Sequence, residues 1–304
     1  MNFLKLIRFQ NLFIIALVQV FIKYGLFESL DIQLAMNNFQ FALLVIATLC
    51  IAAAGNVIND IYDIEIDKIN KPEKLIVGRK VSETAANRIF LILNILGVGI
   101  GFYLANTLGK PGMASIFIIC SALLYLYASY LKGILLIGNI LVSVLVALSI
   151  LIVGVFDIIP AINTDQMNMQ LKAMKILLHY AFFAFMINLI REIVKDIEDI
   201  NGDKNGGMNT LPIAIGRKRA AFVVFCLGVL MVFSVVGYMY VVLYNTQYII
   251  LYFLFLVVGP LLYFCIKAWS AESKKEFAFL SFFLKIIMFT GICSILLYPM
   301  VVLK

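Results

Sequence analysis

Two stretches of the chain concentrate oxygen ligands. The first runs Asn59-Asp60-Ile61-Tyr62-Asp63-Ile64-Glu65-Ile66-Asp67-Lys68, the second Asp196-Ile197-Glu198-Asp199-Ile200-Asn201-Gly202-Asp203-Lys204. Aligned, both read D-I-x-D-I-x-x-D-K. With Glu73 and Glu192 nearby, they hold ten of the 17 acidic residues. Positions i, i+3 and i+7 share one helix face. Asp60, Asp63 and Asp67 therefore line one face of a helix end, and so do Asp196, Asp199 and Asp203. Asn59, Asp63 and Asp67, spaced by four, form an overlapping stripe. Like charges stacked this way repel and are costly near a bilayer. A hard divalent cation among them makes the arrangement favourable. Mg²⁺ takes oxygen ligands and is commonly held by one or two carboxylates plus substrate phosphates. The pattern predicts two facing acidic clusters that bind Mg²⁺, with a phosphorylated substrate between them.

Basic residues stand where such a substrate needs them. Lys68, Lys71, Lys74, Arg79 and Lys80 follow the first cluster, Arg191 and Lys195 precede the second, and Lys204 follows it. Lys132 comes after Tyr125, Tyr127 and Tyr130, while Arg8 and Asn11 stand near the start of the chain. Any one of these is also explained as a lysine or arginine snorkelling to an interface.

The elements that position these groups are set by composition. Of 304 residues, 63% are hydrophobic and only 13% charged, about half the charge of a soluble domain. Such a chain cannot coat a globule with polar surface. A soluble enzyme, a disulfide scaffold and a disordered chain are excluded, leaving a polytopic membrane protein. Apolar windows predict nine spanning helices near 9–28, 39–58, 85–107, 112–131, 134–155, 173–192, 219–243, 247–268 and 279–302, each near the length a bilayer requires. The runs do not alternate as barrel strands would. Pro260 is expected to kink the eighth span. The first apolar stretch follows Lys5 and Arg8 without a small-residue cleavage site and is expected to remain as a first helix.

With the N-terminus inside, 19 of the 24 basic residues, Lys285 among them, fall on the inner side. Lys23, Lys110, Lys172, Lys175 and Lys304 are left outside. The positive-inside rule then places the N-terminus in the cytoplasm of a cell-membrane protein. The two acidic segments follow spans two and six, so four crossings separate them and both lie on the cytoplasmic side. No linker divides the chain, which predicts one domain over 1–304. No basic run extends beyond Arg217-Lys218-Arg219, so a nucleic-acid partner is not expected. The five cysteines are scattered in apolar stretches and His179 is the only histidine. The cysteines are expected to be buried packing groups and His179 a packing or interfacial one.

The paired motifs resemble those of the UbiA superfamily of intramembrane prenyltransferases. The resemblance rests on N-D-x-x-D-x-x-x-D at Asn59 to Asp67 and D-x-x-D-x-x-x-D at Asp196 to Asp203. It extends to Asn70-Lys71-Pro72 with Gly78-Arg79, to Tyr127 through Lys132, and to Gly138-Asn139. It implies an all-α bundle with a central cavity opening to the cytoplasmic side. It also implies Mg²⁺-dependent transfer of a prenyl group from a prenyl diphosphate to an acceptor. Carried over by position, Asn59, Asp63, Asp67, Asp199 and Asp203 would be the main metal and diphosphate residues, supported by Asp60 and Asp196. Lys132, Arg79, Lys195, Tyr127, Arg8 and Asn11 would serve the diphosphate. Lys71 stands where the family more often has arginine, and Lys74-Leu75 where it has Arg-Pro.

Arg191-Glu192-Ile193, Lys195-Asp196, Gly202-Asp203 and Thr210-Leu211-Pro212 most resemble the digeranylgeranylglyceryl phosphate synthase branch. That implies a geranylgeranyl group joined by an ether bond to geranylgeranylglyceryl phosphate. Branches that prenylate 4-hydroxybenzoate or dihydroxynaphthoate share the core motifs, so an aromatic acceptor is the alternative. Aromatic faces can stabilise an allylic cation, and Tyr62 and Tyr127 accompany the motifs. An ion-coupled transporter would rather show inverted repeats and midplane charges, and a passive lipid binder would not need six aspartates in metal spacing.

Overall fold

The computed structural model describes residues 2–302, so Lys304 lies outside the described residues. Nine helices long and apolar enough to cross a membrane occur among them: α1 Phe9–Leu30, α2 Asn38–Tyr62, α3 Glu83–Thr107, α4 Pro111–Ser129, α5 Ile137–Ala161, α6 Met167–Asn205, α7 Arg217–Leu243, α8 Gln247–Ser270 and α9 Lys274–Leu297. Capping side chains start several of them. Asn37 and Gln40 form a reciprocal capping box on α2, Ser273 and Glu276 do so on α9, and the Ser82 hydroxyl accepts from the Ala85 N–H on α3. In α8 a π-helical turn over Leu254–Val258 precedes Gly259-Pro260. The proline lacks an N–H, so the ladder is re-registered there.

The outer faces are apolar. Ile95, Phe102, Phe233 and Phe255 are each more than half exposed. Water would penalise such a surface and lipid does not, so the chain is a multi-pass membrane protein. Inside, α2 packs along α3 and α4, while α6 packs on α5, α7 and α9. Helix α6 is 39 residues long, roughly 58 Å at 1.5 Å per residue. That is nearly twice the hydrocarbon thickness, so its polar end extends past the apolar core. It reaches well beyond the expected span at 173–192, because the polar periodicity of the second acidic segment continues the same helix.

Lys23, counted above with the outer lysines, is buried. It is 1% exposed, and Asp157 at the end of α5 is fully buried. The Lys23 ammonium donates to Asp157 Oδ2 at 2.8 Å and to the Met36 carbonyl at 2.9 Å, and Asp157 Oδ1 accepts the Met36 N–H at 2.8 Å. The pair clips α1, the α1–α2 connection and α5 together at the end opposite the acidic motifs. Breaking one partner leaves a buried uncompensated charge. Asp157→Ala should therefore destabilise by about 3–5 kcal/mol, seen as a lowered thermal midpoint in detergent. The paired change Lys23→Met with Asp157→Leu should recover most of that loss.

Candidate active site

The first acidic segment is not one unbroken helix. Helix α2 ends at Tyr62, Asp63 is the junction (φ −90°, ψ 2°), and a short helix continues over Ile64–Asn70. The bonds from Asp63 N to Asn59 O and from Asp67 N to Asp63 O persist at 2.9 and 2.8 Å. The helical spacing survives, and Asn59, Asp60, Asp63 and Asp67 all line one cavity. The second segment is continuous α6, and Asp196, Asp199 and Asp203 line the same cavity from the other side. The repeated pattern thus gives two facing clusters.

The facing is held by Asn70, which is buried. Its Nδ2 donates to the Asp199 carbonyl at 2.9 Å, and its Oδ1 accepts from Gly202 N at 2.9 Å. A Cβ on Gly202 would lie 2.4 Å from Asn70 Cγ, so only glycine allows this approach. Lys274 of α9 donates to the Asn70 carbonyl at 2.8 Å.

Counter-charges sit on the carboxylates. Lys132 pairs with Asp63, Lys71 with Asp199 at 2.5 Å and Arg8 with Asp60 at 2.8 Å. Asn59 Nδ2 donates to Asp63 Oδ2 at 2.6 Å, and Asn139 Nδ2 to Asp196 Oδ2 at 2.8 Å. Lys132 is placed by a short helical turn, Leu131–Gly133, against the start of α5. A Cβ on Gly138 would come within 2.6 Å of Lys132 Cα. Burial, with Asp63 and Asp60 beside it, pushes the Asp67 carboxyl up to about 6.

The donor set is hard oxygen. Asn59 Oδ1 and Asp199 Oδ1 are buried and have no hydrogen-bond partner, which fits a hard cation. Among the described residues no group of three carboxylates converges on one ion.

The cavity measures about 640 Å³ and grades from polar to apolar. Tyr127, Arg8, Asn11, Lys195 and Lys132 line its charged end, and Ile51, Phe117, Leu124 and Ile152 its apolar part. Several expected residues are not brought there. Lys68, Lys80 and Lys204 are exposed outside the cavity, Lys68 pairing with Glu65 at 2.6 Å. Arg79 is exposed in the turn after the first motif, where Gly78 adopts φ 81°, and its Nη1 donates to the Pro72 carbonyl at 3.3 Å. Tyr62 is exposed on the outside, its hydroxyl 3.1 Å from that of Tyr125. Tyr62 is the last residue of α2 and packs edge to face on Tyr125 of α4, with ring centroids 6.1 Å apart. Lys71, Asn70 and Asn139 prove more central than their individual positions suggest. Their signal lay in the Asn-Lys-Pro and Gly-Asn elements.

Residues 12–287 match the UbiA prenyltransferase family. The chain belongs to that family. The digeranylgeranylglyceryl phosphate synthase of Methanococcoides burtonii is 33% identical over 282 residues, covering 91% of this chain and 92% of the relative. A solved structure described as a digeranylgeranylglyceryl phosphate synthase in membranes superposes with a TM-score of 0.64 at 27% identity, over 98% of this chain and 97% of that one. A UbiA homologue from Archaeoglobus fulgidus, solved with DMAPP and Mg²⁺, shares the fold with a TM-score of 0.59 at 16% identity, over 96% of this chain and 99% of the other.

In this UbiA-family chain the Gly138 approach sets where the Lys132 ammonium stands. Gly138→Ala must push the Lys132 turn away. It should slow prenyl transfer at least tenfold while leaving the yield of folded, monodisperse protein near wild type, measured by turnover of labelled prenyl diphosphate and by gel filtration.

Proposed function

We propose that the protein transfers a geranylgeranyl group from geranylgeranyl diphosphate to the free hydroxyl of geranylgeranylglyceryl phosphate, forming an ether bond in a Mg²⁺-dependent reaction. The observation that carries this is the pair of facing aspartate clusters at the mouth of a cavity whose other end is apolar. It is supported by a name shared among relatives of near-equal length. The whole chain acts as one domain, and the excess of basic residues on the motif side supports a cytoplasmic mouth and N-terminus.

Asn59, Asp60, Asp63 and Asp67 on one side, and Asp196, Asp199 and Asp203 on the other, would hold Mg²⁺. When bound, the cation supplies positive charge that offsets the charge building on the leaving diphosphate. Lys132 and Lys71 reach the same oxygens from the protein side, releasing their hold on Asp63 and Asp199. Ionic stabilisation in a water-poor site is stronger than in bulk. The C1–O bond of the allylic diphosphate breaks with its electron pair leaving on diphosphate. The acceptor hydroxyl oxygen bonds to C1, and its proton passes to the departing diphosphate. Ile51, Phe117, Leu124 and Ile152 keep water from capturing the allylic carbon, and the face of Tyr127 is available to the developing cation.

The deciding assay supplies Mg²⁺ and labelled geranylgeranyl diphosphate, with geranylgeranylglyceryl phosphate in one tube and 4-hydroxybenzoate or dihydroxynaphthoate in others. Ether product in the first tube is expected. Asp63→Asn with Asp199→Asn should lower it at least a thousandfold, and full activity in that variant would sink the enzyme mechanism. Product only with an aromatic acceptor would overturn the lipid reading.

The Asp67 carboxyl protonates as pH falls through about 6, and a cation needs the charged form. Below 6 the Mg²⁺ concentration for half-maximal rate should rise by up to about tenfold per pH unit. Asp67→Asn should reduce that rise.

A further inference from the structure

Lys285 was expected among the inner-side basic residues, yet it sits mid-way along α9, eleven residues from Lys274 and twelve from Leu297. An ionisable side chain at that depth is costly and calls for a partner. Its ammonium donates to Asn11 Oδ1 at 3.3 Å, and among the described residues it pairs with no carboxylate. It lines the cavity with Arg8, Arg191 and Lys195, whose charges act on it together with that of Glu192. Arg8 is matched by Asp60, and Arg191 and Lys195 share one carboxylate, Glu192, at 2.9 Å each. Arg191 Nε is buried and has no hydrogen-bond partner. Four cations thus face two carboxylates.

The neighbouring half of the mouth has the opposite balance. There Asp63, Asp67, Asp196, Asp199 and Asp203 face Lys71 and Lys132. Along α6, seven residues separate Glu192 from Asp199, roughly 10 Å. The cavity therefore has a negative compartment that calls for metal and a positive one, a turn or two deeper, that calls for an anion directly. A phosphate monoester carries about −1.5 to −2 near neutral pH, which matches the surplus.

Building on the lipid-acceptor reading above, we propose that Lys285 and Arg191, with Arg8 and Lys195, bind the phosphate monoester of the acceptor in a metal-independent subsite separate from that of the donor diphosphate. The subsite explains why two phosphorylated substrates can enter one cavity without exchanging places. One needs the carboxylate-bound cation and the other is repelled by the bare carboxylates. Phosphate at this point also selects a phosphorylated glycerolipid over its alcohol, because a site built for a charge loses most of its contacts when the charge is missing.

The test uses full-length protein in nanodiscs. Lys285→Gln should raise KM for geranylgeranylglyceryl phosphate at least tenfold and leave KM for geranylgeranyl diphosphate within twofold. Lys285→Arg should restore the acceptor KM. In EDTA, labelled acceptor should bind wild type and Lys285→Arg but not Lys285→Gln, and inorganic diphosphate should not displace it. Dephosphorylated acceptor should bind wild type and Lys285→Gln equally. A donor KM that rises in step with the acceptor KM would overturn the proposal, as would an unchanged acceptor KM. Displacement of the acceptor by anionic bilayer lipid at equal potency would reassign the cluster to membrane headgroups and overturn it too. An active wild type with an indifferent Lys285→Gln removes the subsite alone. A wild type inert toward this acceptor but active on an aromatic one removes the function reading, and the subsite with it.

Discussion

Carboxylates next to a membrane interior cannot be left bare, and the structure around the mouth follows from that constraint. Desolvating a charge costs several kcal/mol unless an opposite charge or several hydrogen bonds answer it. Asp63, Asp199, Asp60 and Asp196 each have an answer from another element. Lys132 comes from the turn before α5, Lys71 from the loop after the first motif, Arg8 from ahead of α1, and Asn139 from the first turn of α5. These contacts also fix geometry, because a lysine or asparagine that answers a carboxylate ties its own segment to the cluster. Asn70 does this most directly, bridging the first motif to the backbone of α6. Neutralising charge and assembling the site are the same set of contacts.

The same constraint separates the two ends of the bundle. At the far end a single closed pair, Lys23 with Asp157, is buried, and each partner makes a further hydrogen bond to the Met36 backbone. At the mouth the charges are only partly matched. Asn59 Oδ1, Asp199 Oδ1 and Arg191 Nε are buried without partners. Unanswered polar atoms destabilise an apo protein, and they mark where binding free energy is available to ligands. The far end is built for stability and the mouth for binding.

Between them the apolar part of the cavity supplies what the proposed chemistry requires, a tail-binding space that excludes water. It is formed by ordinary packing residues such as Ile51, Phe117 and Leu124. Gly101 in α3 lies so close to Phe117 that a Cβ would meet its ring at 2.2 Å. A close helix approach on the lipid side thus lets the phenylalanine stand where it walls the cavity.

Much of this was legible in the residues alone. Nine spans follow from composition and length, since every uninterrupted apolar run of that size must cross as a helix. The two aspartate patterns announced themselves through repetition, and an even number of crossings put them on one side. What periodicity could not show was anything that depends on which helices become neighbours. It could not place Asn70 against Gly202, seat Lys132 against Gly138, or turn Arg79 and Tyr62 away from the cavity. Nor could it tell that Lys23 and Lys285, alike as lysines in apolar helices, differ completely in partnership. One meets Asp157 from a helix far along the chain, and the other meets an asparagine and a surplus of positive charge. Local sequence determines helix, span and face through contacts a few residues apart. The charge balance of a cavity is a sum over groups hundreds of residues apart in the chain, and only the tertiary fold decides which of them face one another.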